Sequence, residues 1–135
     1  MAHPIDSTAP DIVTLTGESL TTIERFNAAF NRHDPAGMVA LMTADCVFES
    51  TFPAPDGARF EGPAAVRTYF EELFRQGPRA HLEVEETLAC GTRCLVRWIY
   101  RWTDHPQTGS GYVRGVDVFK LRGGLIAEKL SYVKG

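Results

Sequence analysis

The chain has 135 residues, of which 44% are hydrophobic, 23% charged and 10% aromatic, and its formal net charge is −3. That length suits one domain with a real core. The acidic balance leaves no electrostatic footprint for a phosphate backbone, so nucleic acid is not an expected partner. No apolar run reaches the length of a membrane span, and no basic region precedes a long apolar run at the N-terminus. The expectation is a cytoplasmic protein without a membrane partner. Its three cysteines, Cys46, Cys90 and Cys94, are then expected as thiols, with a Cys90–Cys94 bridge across a hairpin as the alternative.

Residues 1–16 show no period and carry Pro4 and Pro10, which reads as a leader ahead of a single domain at 17–135. From Gly17 to Arg32, Leu20, Ile23, Phe26 and Phe30 recur at helical spacing. Asp34 then caps a short second helix that starts at Pro35 and buries Met38, Leu41 and Met42. The alternation in "DCVFES" (45–50) marks a strand. A loop rich in Pro and Gly follows at 51–63, a candidate lid or site wall. Pro63 opens a third helix whose apolar stripe is Val66, Tyr69, Phe70, Leu73 and Phe74. Strands are expected near 80–90, 93–103, 110–121 and 125–134, joined by "CGTR", "DHPQTG" and "RGG". Helices first and hairpin-linked strands after predict an α+β fold, with helices on one face of an antiparallel sheet.

Within "RGVDVFKL" (114–121) an aspartate, Asp117, interrupts a strand pattern, and a buried carboxylate without a partner is costly. If Asp117 points inward, so do Val113, Gly115 and Phe119. With Leu121 facing Leu125 across the "RGG" turn, Asp117 falls opposite Lys129 and Gly115 opposite Ser131. The inward set on the strand "VRWIYRWT" is Val96, Trp98, Tyr100 and Trp102, with Arg97, Ile99 and Arg101 outward.

Three stretches carry a resemblance. "FNAAFNRHDPAGMVALMTADCVFES" (26–50), "FEGPAAVRTYFEEL" (60–73) and "GVDVFKLRGGLIAEKLSYV" (115–133) resemble SnoaL-like proteins of the nuclear transport factor two superfamily, the group that includes ketosteroid isomerase and limonene epoxide hydrolase. The resemblance implies a cone: a highly curved antiparallel sheet wrapped around three helices and enclosing an apolar pocket. It also implies a homodimer through the outer face of the sheet, and Ile99, Val116 and Val118 among that face's charges fit such an interface. Asp117 matches the acidic residue that ketosteroid isomerase places in its oxyanion hole, where an apolar site keeps the carboxylic acid neutral so that it can donate a hydrogen bond. Other positions depart from the family's catalytic sets. Ser50 stands where that isomerase has its basic aspartate, and Phe26 where it has its tyrosine. Trp98, Tyr100 and Ser131 stand where limonene epoxide hydrolase has its arginine and aspartates.

The expected pocket is aromatic, with Phe26, Phe48, Tyr69, Trp98, Trp102 and Phe119 as walls and Gly115, Ser50 and Ser131 among them. Asp117, Lys129 and Tyr100 are the candidate catalytic groups: a base or orienter, a cation for an oxygen or for Asp117, and a hydroxyl donor. No metal set, Ser-His-Asp arrangement or phosphate loop is recognisable, so no cofactor is expected. The leading reading is a cofactor-free enzyme that isomerises, cyclises or hydrolyses a small hydrophobic, oxygenated molecule. A non-catalytic ligand-binding protein and a dimerisation module are the rivals.

Overall fold

A computed structural model describes residues 10–135. The expected leader therefore lies mostly outside the described residues. The chain forms α1 (Ile12–Asn31), α2 (Pro35–Val39), β1 (Met42–Glu49), β2 (Arg59–Glu61), α3 (Pro63–Gln76), β3 (His81–Cys90), β4 (Arg93–His105), β5 (Gly109–Arg122) and β6 (Leu125–Val133).

α1 begins five residues before the expected start at Gly17. Asp11 caps it by accepting a hydrogen bond from the Thr14 amide at 2.8 Å. Its first turn carries Ile12 and Val13, both solvent-exposed, so no apolar period announces it. Gly17 lies inside the helix with open space around it. Farther along, Ile23, Phe26, Ala29 and Phe30 turn inward. Two hydroxyls share that buried stripe because they tie the helix to hairpin turns. Ser19 Oγ donates to the Gly91 carbonyl and Thr22 Oγ1 to the Gly124 carbonyl, each at 2.7 Å.

α2 starts as expected, with the Asp34 carboxylate accepting from the Gly37 amide and Pro35 in the first turn. It ends at Val39, so Met42 is buried from β1 and not from the helix. In α3, Val66, Phe70 and Phe74 are buried, Tyr69 and Leu73 are half-buried, and Gly77 stops the helix.

The sheet runs in the order β2-β1-β6-β5-β4-β3. β3 to β6 form the expected chain of antiparallel hairpins. β1 departs from that pattern by pairing parallel to β6, which its return through the helical region allows. Irregularities at Met42/Val47, Val84/Glu86, Trp102/His105 and Lys120/Leu121 interrupt the ladders. Such bulges bend strands and sharpen twist, which lets an open sheet curve around α1 and α3. The core between sheet and helices is aromatic, with Phe26, Phe70 and Phe119 fully buried.

The last hairpin corrects one expectation. Gly123 and Gly124 both take positive φ (60° and 76°), a two-residue turn that sets Arg122 opposite Leu125. The bulge at Lys120/Leu121 adds one more step, so Asp117 faces Ser131 and Phe119 faces Lys129. The offset is two residues, an even number, and every side chain keeps its expected face.

Cys90 is exposed and Cys94 is buried, and both are free thiols. Cys90 pairs with Arg93 and Cys94 with Ala89, which sets the two thiols on opposite faces of the hairpin and rules out a bridge between them. None of the described helices is long and apolar enough to cross a membrane.

Candidate active site

Side chains from α1, β1, α3, β4, β5 and β6 converge on one cavity. Its lining includes Phe26, Phe48, Tyr69, Phe70, Trp98, Tyr100, Asp117, Lys129 and Ser131. The volume is about 100 Å³. Water occupies about 30 Å³ in the liquid, so the cavity is a few waters in size. It is smaller than the roughly 300–1,000 Å³ of drug-sized pockets.

The polar cluster sits on β5 and β6. Asp117 is 3% exposed and Lys129 7%. Ser131, directly across from Asp117, donates through Oγ to Asp117 Oδ1 at 2.6 Å. Lys129, two residues earlier on the same face, donates through Nζ to Ser131 Oγ at 2.8 Å. The ammonium lies 3.4 Å from Asp117 Oδ1. It also stands 4.5 Å from the Phe48 ring centroid and 5.8 Å from that of Phe70. Both aromatic faces attract a cation. Burial pushes the Lys129 amine below the ordinary lysine value, and the charge of Asp117 pulls it back up.

Two phenols complete the polar set. Burial pushes Tyr100 up to about 12, with a smaller push from Tyr69. Burial raises Tyr69 too. Both phenols are therefore neutral donors at ordinary pH.

Trp98 reaches the cavity because of a glycine. In register, Trp98 faces Gly115 and Trp102 faces Gly111. A Cβ on Gly115 would lie 2.5 Å from the Trp98 ring and 2.3 Å from the Tyr132 carbonyl oxygen. A Cβ on Gly111 would lie 2.8 Å from the Trp102 ring. Each indole thus packs against backbone where a side chain would otherwise stand. The Trp98 and Trp102 Nε1 atoms are buried and unpartnered among the described residues.

Four of the expected pocket residues stand apart from the lining. Ser50 Oγ donates to the Phe52 carbonyl and accepts from the Ala58 amide, so its hydroxyl closes the base of the 51–58 loop. Phe119 is fully buried behind the wall, packed edge-on against Phe26 with ring centroids 6.0 Å apart. Gly115 is covered by Trp98. Trp102 flanks Tyr100 at the far end of β4, ring centroids 5.8 Å apart. In that loop, Thr51 reaches the cavity, whereas Phe52 is 78% exposed.

The lining adds Asn27 and Leu82, which the sequence pattern does not single out, and Phe30 and Val113, which it marks as inward-facing but not as pocket walls. Asn27 sits four residues after Ile23 and three before Phe30, inside the helix's apolar stripe. An amide at such a position is the one signal that points to it. Among the described residues, no three His, Cys, Asp or Glu side chains gather as a metal site requires. The cluster can chemically do two things: move a proton along Lys129–Ser131–Asp117, and present donors to a ligand oxygen.

Residues 23–129 match the family model of a SnoaL-like domain. None of the curated proteins matches the chain. Among solved structures, an NTF2-like protein of unknown function from Mesorhizobium loti is 36% identical, with a TM-score of 0.79 over 94% of this chain and 98% of that one. A cystatin-fold protein from Novosphingobium aromaticivorans is 21% identical, with a TM-score of 0.73 over 84% and 96%. A protein of ketosteroid isomerase-like fold from Catenulispora acidiphila, solved with trimethylamine, is 15% identical, with a TM-score of 0.74 over 82% and 83%. The last two likenesses concern the fold alone.

Proposed function

The chain belongs to the SnoaL-like domain family of the NTF2-like superfamily, and from that premise we propose that its cavity is the active site of a cofactor-free acid/base enzyme. The substrate class is a small hydrophobic molecule with an oxygen function, and the reaction an isomerisation, cyclisation or hydrolysis. Asp117 is the proton acceptor, Lys129 and Tyr100 hold the substrate's oxygen, and Ser131 aligns the carboxylate. The observation that carries this reading is a carboxylate 3% exposed, hydrogen-bonded and ion-paired, at the wall of an aromatic cavity. Titratable groups so placed concentrate at functional sites. The volume of about 100 Å³ restricts the substrate to a few heavy atoms unless the aromatic walls move.

The test is a thermal-shift panel of cyclopentanone, γ-butyrolactone, propylene oxide and butyric acid, followed by product analysis. A ligand that binds only the native state raises Tm with its occupancy. The expected result is a hit that is converted by the wild type, bound by Asp117→Asn and left unconverted by it. Binding without conversion in the wild type would favour the non-catalytic ligand-binding reading. A panel that binds nowhere would remove the pocket as a site.

The homodimer through the outer face belongs to the same proposal. Of the residues expected there, Ile99 is buried within the single chain and Val116 and Val118 are half-buried, while Leu88, Tyr112 and Tyr132 are more than half exposed. A second copy would cover that apolar surface. Sedimentation that reports only monomer at micromolar concentration would argue against it.

A further inference from the structure

We infer that Lys129 is a carbonyl-capturing amine, able to form a Schiff base with a small aldehyde or ketone in the cavity. The inference rests on the cavity being a ligand site, as proposed above, and goes beyond acid/base chemistry at Asp117. Two observations lead to it. Lys129 lines the cavity with a buried side chain whose Nζ lies 4.5 Å from the Phe48 ring centroid and 5.8 Å from that of Phe70. Lysines desolvated in apolar pockets are the ones that act as amine nucleophiles. Its Nζ is hydrogen-bonded to the Ser131 hydroxyl, which is hydrogen-bonded in turn to Asp117. That chain is a proton exit from the ammonium.

The step balances without any oxidant or reductant. Ser131 accepts a proton from Nζ and passes its own to Asp117, leaving a neutral amine and a neutral carboxyl. The amine adds to the carbonyl carbon, forming a C–N bond as the C=O π bond opens onto oxygen. A proton moves from nitrogen to that oxygen, giving the carbinolamine. Asp117 returns its proton, through Ser131, to the carbinolamine hydroxyl, which leaves as water. The product is a protonated imine on Nζ, with Asp117 again ionised. The cavity of about 100 Å³ admits a carbonyl compound of propanal size.

The test uses the full chain, propanal as probe and cyanoborohydride to reduce any imine to a stable secondary amine. Peptide mass mapping then reads each lysine. The chain has three, Lys120, Lys129 and Lys134, and the other two are exposed. Accessibility alone predicts that Lys129 reacts last. The inference predicts that it reacts first, with about a tenfold or greater excess of adduct at Lys129 over either exposed lysine, because only Lys129 has a built-in proton exit beside a binding cavity. Lys129→Arg removes the adduct at that position and leaves Lys120 and Lys134 labelled as before. Should that variant fail to fold, the internal ratio in the wild type still decides. Butanone, added without reductant, separates the two readings by thermal shift. A shift in Tm with no Lys129 adduct overturns the Schiff-base inference and leaves the pocket standing. Neither shift nor adduct overturns both.

Discussion

The two faces of the sheet use the same cross-strand geometry and obtain different things from it. On the outer face, Arg101 meets Glu83 at 3.2 Å and Arg114 meets Glu85 at 2.9 Å, with the side chains of Arg101, Glu83 and Arg114 about half exposed. On the concave face, Lys129 and Asp117 are 3.4 Å apart, less than a tenth exposed, and joined through Ser131. Solvent screens the first kind of pair until it contributes little. Burial makes the second kind costly to break, because the surviving partner is left in a low-dielectric site. The difference teaches that the charge pattern of these strands is not evenly functional. One face pairs its charges with one another in solvent, while the other holds two opposite charges against an aromatic wall.

That contrast breaks most visibly at Asp117. Asp117→Ala strands the Lys129 amine among aromatic rings and is expected to destabilise the protein by about 3–5 kcal/mol, read by urea unfolding. A loss no larger than that of a surface variant would mean the pair is effectively solvated. Gly115→Ala comes next. Its Cβ would collide with the Trp98 ring and with the Tyr132 carbonyl oxygen, and the second contact is backbone that cannot swing away. Overpacking of this kind costs about 1–3 kcal/mol. Trp98→Ala carries its own large cost, but on that background the added penalty of Gly115→Ala is expected to shrink without vanishing, because only one of the two collisions is removed.

A pH measurement sharpens the comparison further. Tyr100 titrates at 10.0 when unperturbed and at about 12 in the fold, so the folded state holds its proton more tightly. Its contribution is fully present below pH 10 and is lost as pH rises through about 12. In Tyr100→Phe the fall in stability over that window becomes shallower; an unchanged slope would place the phenol in solvent. The smallest effect is on the outer face. Arg101→Ala leaves the unfolding midpoint unchanged within error, since the pair it breaks is half-exposed. A clear loss there would show that the two faces are less different than their burial implies.

Much of this arrangement is legible in the residues. The stripe Ile23, Phe26 and Phe30, the Asp34 cap and the alternation around Asp117 each report a single local rule, and the structure follows them. The inward placement of Asp117, Lys129 and Ser131 survives a shifted register because strands have period two. The register itself differs by two steps: one because Gly123 and Gly124 alone make the turn, the other from the bulge at Lys120/Leu121, which has no marker in the sequence. The first turn of α1 is hidden because Ile12 and Val13 face solvent, so hydrophobicity there signals nothing. Ser50 departs from expectation for a different reason. Its face is as expected, but its hydroxyl is consumed by the backbone of the following loop, and no pattern records that. The facing tryptophans and glycines do leave a trace. Trp98 and Trp102 are four apart, as are Gly111 and Gly115, and antiparallel pairing stacks one set on the other.

The most direct test of the cavity as the ligand site is an NMR titration with cyclopentanone, following the indole N–H signals. The chain has two tryptophans, so two such signals are expected. Trp98 lines the cavity and Trp102 does not. The account predicts a saturable shift of the Trp98 signal, a smaller response of Trp102, and loss of the Trp98 shift in Lys129→Met. A Trp98 signal that stays fixed while resonances of the outer face move would contradict it and transfer the site to the opposite side of the sheet.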